Sequence, residues 1–178
     1  ALVIACNTAT AAAAEAIRAA IDLPIVALEP GVKPAVALSK RGVIGVMATT
    51  RTLASERFQR LVGNHANHLR VLAQPCPGLA EAIEAQGPES AEVAALLDAF
   101  VAPLAAAAAD VVVLGCTHYP WVAEAIARRM PPGVTLLDTG EPVARQLERL
   151  LSAANLIGGG SGQLRVATSG APNKVVAT

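Results

Sequence analysis

Aromatic side chains account for only 2% of these 178 residues: two Phe, one Tyr and one Trp. So sparse a set cannot build the stacking platform that single-stranded nucleic acid binding uses. Lys+Arg and Asp+Glu number 14 each, for a formal net charge of +0, and no run of Lys or Arg exceeds two residues. Bulk electrostatics therefore exclude nucleic acid and an anionic membrane as partners and point to a small molecule. Charge or Pro interrupts every apolar stretch before the roughly 20 residues of a membrane span. No basic segment followed by an apolar core and cleavage site opens the chain, so no secretory signal is expected. Three cysteines, Cys6, Cys76 and Cys116, form no CxxC pair and leave one thiol over in any pairing. That excludes a disulfide scaffold and places the protein in a reducing compartment, the cytoplasm. The first residue is Ala, inside what reads as a β-strand, so the natural N-terminus is expected upstream.

The 53% of apolar residues is ample for a core, and much of it is alanine, which favours helix. Short β-branched runs alternate with alanine-rich helical stretches, the pattern of an α/β fold with a largely parallel sheet. Strands are predicted near 1–6, 24–28, 42–47, 69–73, 110–115, 133–137 and 164–169. Helices are predicted at 9–21, 33–40, 51–63, 78–86, 89–108, 120–130 and 141–152, several with Glu early and Arg late, as the helix dipole favours. Pro103 predicts a kink or break in the fifth helix. The runs 42–47 and 110–115 are continuously apolar, as in strands covered on both faces. GGGSG (158–162) predicts a flexible turn, and the tail beyond the last run reads as unpaired.

One pattern occurs twice. ALVIACNTATAAAAEAIR (1–18) returns as VVVLGCTHYPWVAEAIAR (111–128): an apolar run, a small residue, a cysteine, a polar step with threonine, then a helix start. Two related α/β units would each place a thiol at the carboxyl end of a strand, where ligands bind in open α/β sheets. A thiol there faces the amino end of the next helix, whose free N–H groups favour thiolate; a downward shift from the ordinary cysteine value of about 8.5 is expected. Beside Cys116, Thr117 is placed to cap the helix and His118 to exchange a proton at neutral pH. The competing role for either cysteine is that of a small core residue.

Two thiols from opposite halves suit three chemistries: a disulfide switch, a zinc site, or two-base isomerisation. Zinc needs about four ligands, and His65 and His68 in GNHANH have no matching cysteine pair, so no metal site is predicted. Inverting a stereocentre beside a carboxylate asks for one group to remove a proton from one face and another to deliver one to the opposite face, with roles swapped in reverse.

The words ACNTA and GCTHYP, with EPGVKPA (29–35), GVMATTRT (45–52), QPCPGLAEAIE (74–84) and the D-T-G turn at 138–140, resemble the glutamate racemases of the cofactor-independent aspartate/glutamate racemase superfamily. The resemblance runs to about residue 151. It implies interconversion of L- and D-glutamate without pyridoxal phosphate or metal, supplying D-glutamate for peptidoglycan. It also implies two pseudosymmetric α/β units with mostly parallel sheets and a cleft between them, 1–29 with 139–178 forming the first and 30–138 the second. By the same resemblance Cys6 and Cys116 are the acid/base pair, His118 assists Cys116, and Glu84, with Glu81 as neighbouring candidate, belongs to that half of the site. Asn7, Thr8, Thr49, Thr52 and Thr117 match substrate-binding positions, although helix capping alone accounts for at least one of Thr49 and Thr52. Glutamate is the implied small-molecule partner, with no cofactor, and a homodimer is compatible with the family.

The family also carries an aspartate-serine-glycine turn and a proline-tyrosine-glycine turn upstream of ACNTA. Neither is among these residues, so this stretch alone is not expected to racemise efficiently. Three alternatives stay open: racemisation of another acidic amino acid such as aspartate, a nucleophilic enzyme using Cys116 with His118, and a silent binding module.

Overall fold

The computed structural model describes residues 1–158 and 160–169. The chain forms β1 (Leu2–Ile4), α1 (Asn7–Ala20), β2 (Ile25–Ala27), α2 (Val32–Leu38), β3 (Val43–Ala48), α3 (Thr50–Ala54), α4 (Glu56–His65) and β4 (Arg70–Pro75). It continues through α5 (Leu79–Gln86), α6 (Ala91–Ala106), β5 (Val111–Leu114), a 3-10 turn (Tyr119–Val122), α7 (Ala123–Ala127), β6 (Thr135–Leu137) and α8 (Gly140–Ala153). It is an α/β fold in which every strand pairing among the described residues is parallel.

β1 and β2 make a two-stranded sheet; β4-β3-β5-β6 make a four-stranded one. The continuously apolar runs occupy the centre of the larger sheet. Val111, Val112, Val113 and Leu114 are all buried, because helices cover both faces. One face packs against α5, α6 and α7 through Leu79, Ile83, Leu97, Leu104 and Ile126. The other packs against α2 and α4 through Val32, Ala35 and Phe58. No helix of the described residues is long and apolar enough to cross a membrane.

The chain passes between the two sheets twice, after β2 and after β6, and the crossings touch. A Cβ on Gly31 would lie 2.9 Å from Leu137 Cδ2 and 3.2 Å from Thr139 Cγ2, so a larger residue there would have to push those two side chains aside. Glu29, on the first crossing, pairs with Arg57 of α4. Glu15 of α1 lies 3.7 Å from Arg60 of the same helix.

Several sequence expectations are corrected. The helix predicted at 51–63 is two helices, because Ser55 leaves the helical conformation (ψ 142°) and accepts from Phe58 N–H, capping α4. The helix predicted at 120–130 is a 3-10 turn followed by the short α7. Pro103 does not break α6, which runs on to Ala106 before ending within one turn. No strand forms at 164–169: Leu164 is 86% exposed and Val166 66%, so the run's β-branched pattern has no sheet face to bury against. In the GGGSG turn Gly158 has φ 106° and Gly162 φ 69°, while Gly159 and the tail 170–178 lie outside the described residues.

Candidate active site

Parallel strands end on the same side of a sheet, and here the ends of five of the six strands described deliver a thiol or polar side chain. Thr49 follows β3, Cys76 follows β4, Cys116 lies just past β5, Asp138 follows β6, and Cys6 lies just past β1 of the smaller sheet. This carboxyl edge is where α/β sheets bind ligands.

Cys6 is the N-cap of α1, in extended conformation, with no hydrogen bond from its side chain to the helix. Both Cys6 and Cys116 are partly exposed, whereas Cys76 is buried. The residues beside the two exposed cysteines are joined directly: Asn7 Nδ2 donates to the Gly115 carbonyl at 2.9 Å. Asn7 is only 4% exposed, and its Oδ1 is buried without a hydrogen-bond partner. Leaving such an acceptor unsatisfied costs about 1–3 kcal/mol, which a ligand N–H would offset.

Around Cys116 the side chains form a relay. Its Sγ lies 3.6 Å from His118 Nδ1, and His118 Nε2 lies 2.5 Å from Glu84 Oε1 on α5. Because the carboxylate only accepts, Nε2 carries the proton; in the neutral ring Nδ1 is then an acceptor for the Cys116 S–H. Burial pushes the Cys116 thiol up, with negative charge on Cys6 and Glu81 acting the same way; the His118 backbone N–H and the Thr117 hydroxyl oppose the shift without reversing it. The sequence predicts the opposite direction. The reversal has a structural cause: Cys116 precedes only a 3-10 turn and a five-residue helix, which lack the N–H array of a long helix start, and burial of the thiol outweighs what they supply. Nor does Thr117 cap a helix; the turn's N-cap is His118, and Thr117 Oγ1 lies 3.5 Å from His118 Nδ1.

Three hydroxyls meet on the other side of the carboxyl edge. Thr8 Oγ1 is 2.8 Å from Thr49 Oγ1 and 3.0 Å from Thr52 Oγ1, while Thr49 and Thr52 are 2.9 Å apart. Thr49 also caps α3 by accepting from Thr52 N–H, so capping and clustering coexist. Thr8 and Thr49 line a cavity of about 410 Å³ with Cys76 and Glu81. Asn7, Cys116 and Thr117 line a different one of about 390 Å³ with Asp138 and Thr139. Burial pushes the Cys76 thiol up to about 12, so it stays protonated at neutral pH.

The family model described as Asp/Glu/Hydantoin racemase matches residues 1–147. The chain belongs to this family. The glutamate racemase of Herpetosiphon aurantiacus is 49% identical over 173 residues, covering 96% of this chain and 68% of that protein. The glutamate racemase of Pseudomonas syringae pv. tomato is 50% identical over 161 residues, 90% of this chain and 58% of that one. Among solved structures, Escherichia coli glutamate racemase in complex with L-glutamate and the activator UDP-MurNAc-Ala matches with a TM-score of 0.77 at 32% identity, over 85% of this chain and 58% of that one. The chain thus spans between 58% and 68% of the length of these relatives.

Within this racemase-family fold, the predicted Cys116, His118 and Glu84 come into contact, as do Thr8, Thr49 and Thr52. Asn7 bridges the two cysteine segments. Thr117 is exposed beside the relay. Glu81 faces the threonine cavity, away from the His118 contact that Glu84 makes. Asp138 and Thr139 are additional residues of the Cys116 cavity. Their signal in the sequence is the D-T-G turn, which residue type alone does not connect to a cysteine 22 positions earlier.

Proposed function

We propose that this protein interconverts L- and D-glutamate by two-base α-proton transfer between Cys6 and Cys116. The observation that carries the reading is the Cys116–His118–Glu84 relay facing the Cys6 segment across the Asn7–Gly115 bond. Identity of about half to glutamate racemases over most of the chain supports the substrate.

In one direction the Cys6 thiolate takes the α-proton: an S–H bond forms, the Cα–H bond breaks, and the electron pair passes into the substrate carboxylate. Cys116, held as a thiol by burial, gives its proton to the opposite face and is left as thiolate. In reverse, the Cys116 thiolate left by that step takes the α-proton while the Cys6 thiol gives its proton to the other face; His118 Nδ1, in contact with the Cys116 sulfur and backed by Glu84 at Nε2, orients Cys116 for both transfers. Asn7 Oδ1, an acceptor without a partner, suits the substrate ammonium. The Thr8, Thr49 and Thr52 hydroxyls and Thr117 are read as substrate contacts.

On this reading the protein is a cytoplasmic isomerase needing no cofactor. It supplies D-glutamate for peptidoglycan, and a homodimer is the assembly proposed for it. The two units are taken as 1–29 with 139–178 and as 30–138, meeting at the two chain crossings. α-Deuterium exchange in heavy water tests the chemistry. Wild type should exchange both glutamate enantiomers faster than aspartate, and Cys6→Ala and Cys116→Ala should each suppress exchange from a different enantiomer. A second reading, a nucleophilic enzyme, is favoured by the Cys–His–Glu geometry itself. Indifference to Cys6→Ala together with a covalent adduct on Cys116 would establish it instead.

A further inference from the structure

We propose that Trp121 is a positioning residue for His118, holding the imidazole in the orientation that joins Cys116 to Glu84; this rests on the acid/base role read for Cys116 above. The imidazole is held at Nδ1 by Cys116 and at Nε2 by Glu84. Both contacts are made through the ring nitrogens, and two such contacts leave the tilt of the ring about the line between them free. Glu84 adds little restraint, since its side chain is 65% exposed.

The missing lateral contact comes from Trp121. Its indole meets the imidazole with ring centroids 6.0 Å apart and planes at 68°, an edge-to-face pair. The backbone under it is fixed: Trp121 N–H donates to the His118 carbonyl at 3.2 Å, and its neighbours Tyr119 and Val122 are buried. Trp121 itself is 58% exposed, so core packing does not explain it. Trp121 also lines a cleft of about 600 Å³ with Glu89, Ser90, Glu124, Arg128 and Arg129. The titratable groups contacting His118 are Cys116 and Glu84; those facing Trp121 across the cleft are Glu89, Glu124, Arg128 and Arg129.

Trp121→Ala should lower kcat roughly three- to tenfold, the scale of one edge-to-face contact, with KM little changed. A tilted His118 slows proton transfer at Cys116 alone. The α-deuterium isotope effect should therefore rise for the enantiomer that Cys116 deprotonates and not for the other. Trp121→Phe should restore most of the rate. Loss of folded protein would scale both directions equally and leave the isotope effects where they were. Wild-type kinetics and isotope effects in Trp121→Ala would overturn the proposal, as would a rise for both enantiomers alike.

A second measurement needs no turnover. Trp121 is the single tryptophan in the sequence, so its indole emission reports the ring contact directly. At one fixed pH, emission in wild type should differ in intensity or wavelength from that in His118→Asn, which lacks the imidazole. Identical emission in the two overturns the proposal. A wild type that never exchanges glutamate overturns the racemase reading, while the emission comparison still decides whether Trp121 holds the imidazole.

Discussion

Asn7 Nδ2 donates to the Gly115 carbonyl at 2.9 Å, tying the residue after one cysteine to the residue before the other across 108 positions of sequence. The bond is buried, so its loss strands a carbonyl without water to replace the donor. Asn7→Ala should lower stability by about 1–3 kcal/mol in urea unfolding. Asn7→Asp, which sets an acceptor against an acceptor, should be worse. Both should reduce kcat/KM by letting the cysteine segments separate.

Gly115 is restricted for a second reason. A Cβ there would lie 2.7 Å from the Met47 carbonyl oxygen and 2.9 Å from Ala48 Cβ, both at the end of β3. Gly115→Ala should cost about 1–3 kcal/mol as overpacking, read as a lower urea midpoint. It should also displace Cys116, so activity should fall even in the fraction that remains folded.

The Cys116 thiol is raised by burial first, with Cys6 and Glu81 adding to it. Alkylation by iodoacetamide, which follows the thiolate, should need higher pH at Cys116 than for a free cysteine. Glu81→Gln removes one negative charge and should bring the labelling midpoint down. Cys76, pushed to about 12, should remain unlabelled at neutral pH. Peptide mapping after timed labelling checks all three.

Glu84 lies on an exposed helix face and contacts His118 Nε2 at 2.5 Å. Glu84→Gln should therefore leave unfolding unchanged while lowering kcat roughly ten- to a hundredfold, the worth of one charge-assisted hydrogen bond. Glu81→Gln, which removes no contact to His118, should have the smaller effect on kcat.

Asp110 sits at the start of β5, 8% exposed. Desolvation pushes its carboxyl up, but N–H donors from Arg41 and Lys40 and the Ser39 hydroxyl outweigh it and hold the group below the ordinary carboxylate range. A depressed folded value means the stabilisation is present above the unfolded value of about 3.9 and is lost as pH falls through the lower folded one. Thermal unfolding followed from neutral pH to below about pH 4 should show that loss. Asp110→Asn should flatten this part of the pH dependence and lower stability at neutral pH.

Much of this fold is legible locally. The apolar runs at 42–47 and 110–115 emerge as β3 and β5, and alanine-rich stretches form α1 and α6, because burial on both faces and helix propensity act over a few neighbouring residues. Errors cluster where a tertiary partner overrides a local pattern. Ser55 splits a helix because its hydroxyl caps a new one, and 164–169 remains irregular with its apolar side chains exposed.

Within the candidate site, residue type and spacing single out Cys6 and Cys116 with the polar residues that follow each of them, because strand-end cysteines and their neighbours are consecutive in the chain; Thr49, Thr52 and Glu84 are reached only through the family resemblance. Contacts over long separations follow instead from the sheet order β4-β3-β5-β6 and from the way α1 packs on α3 and α4. That arrangement puts Glu84 on His118, Thr8 on Thr49 and Thr52, Asp138 in the Cys116 cavity, and Trp121 against the imidazole. The acid strength of Cys116 belongs to the same class. A helix start argues for thiolate, but desolvation by side chains brought from several elements pushes the thiol the other way, and no local stretch of residues contains that information.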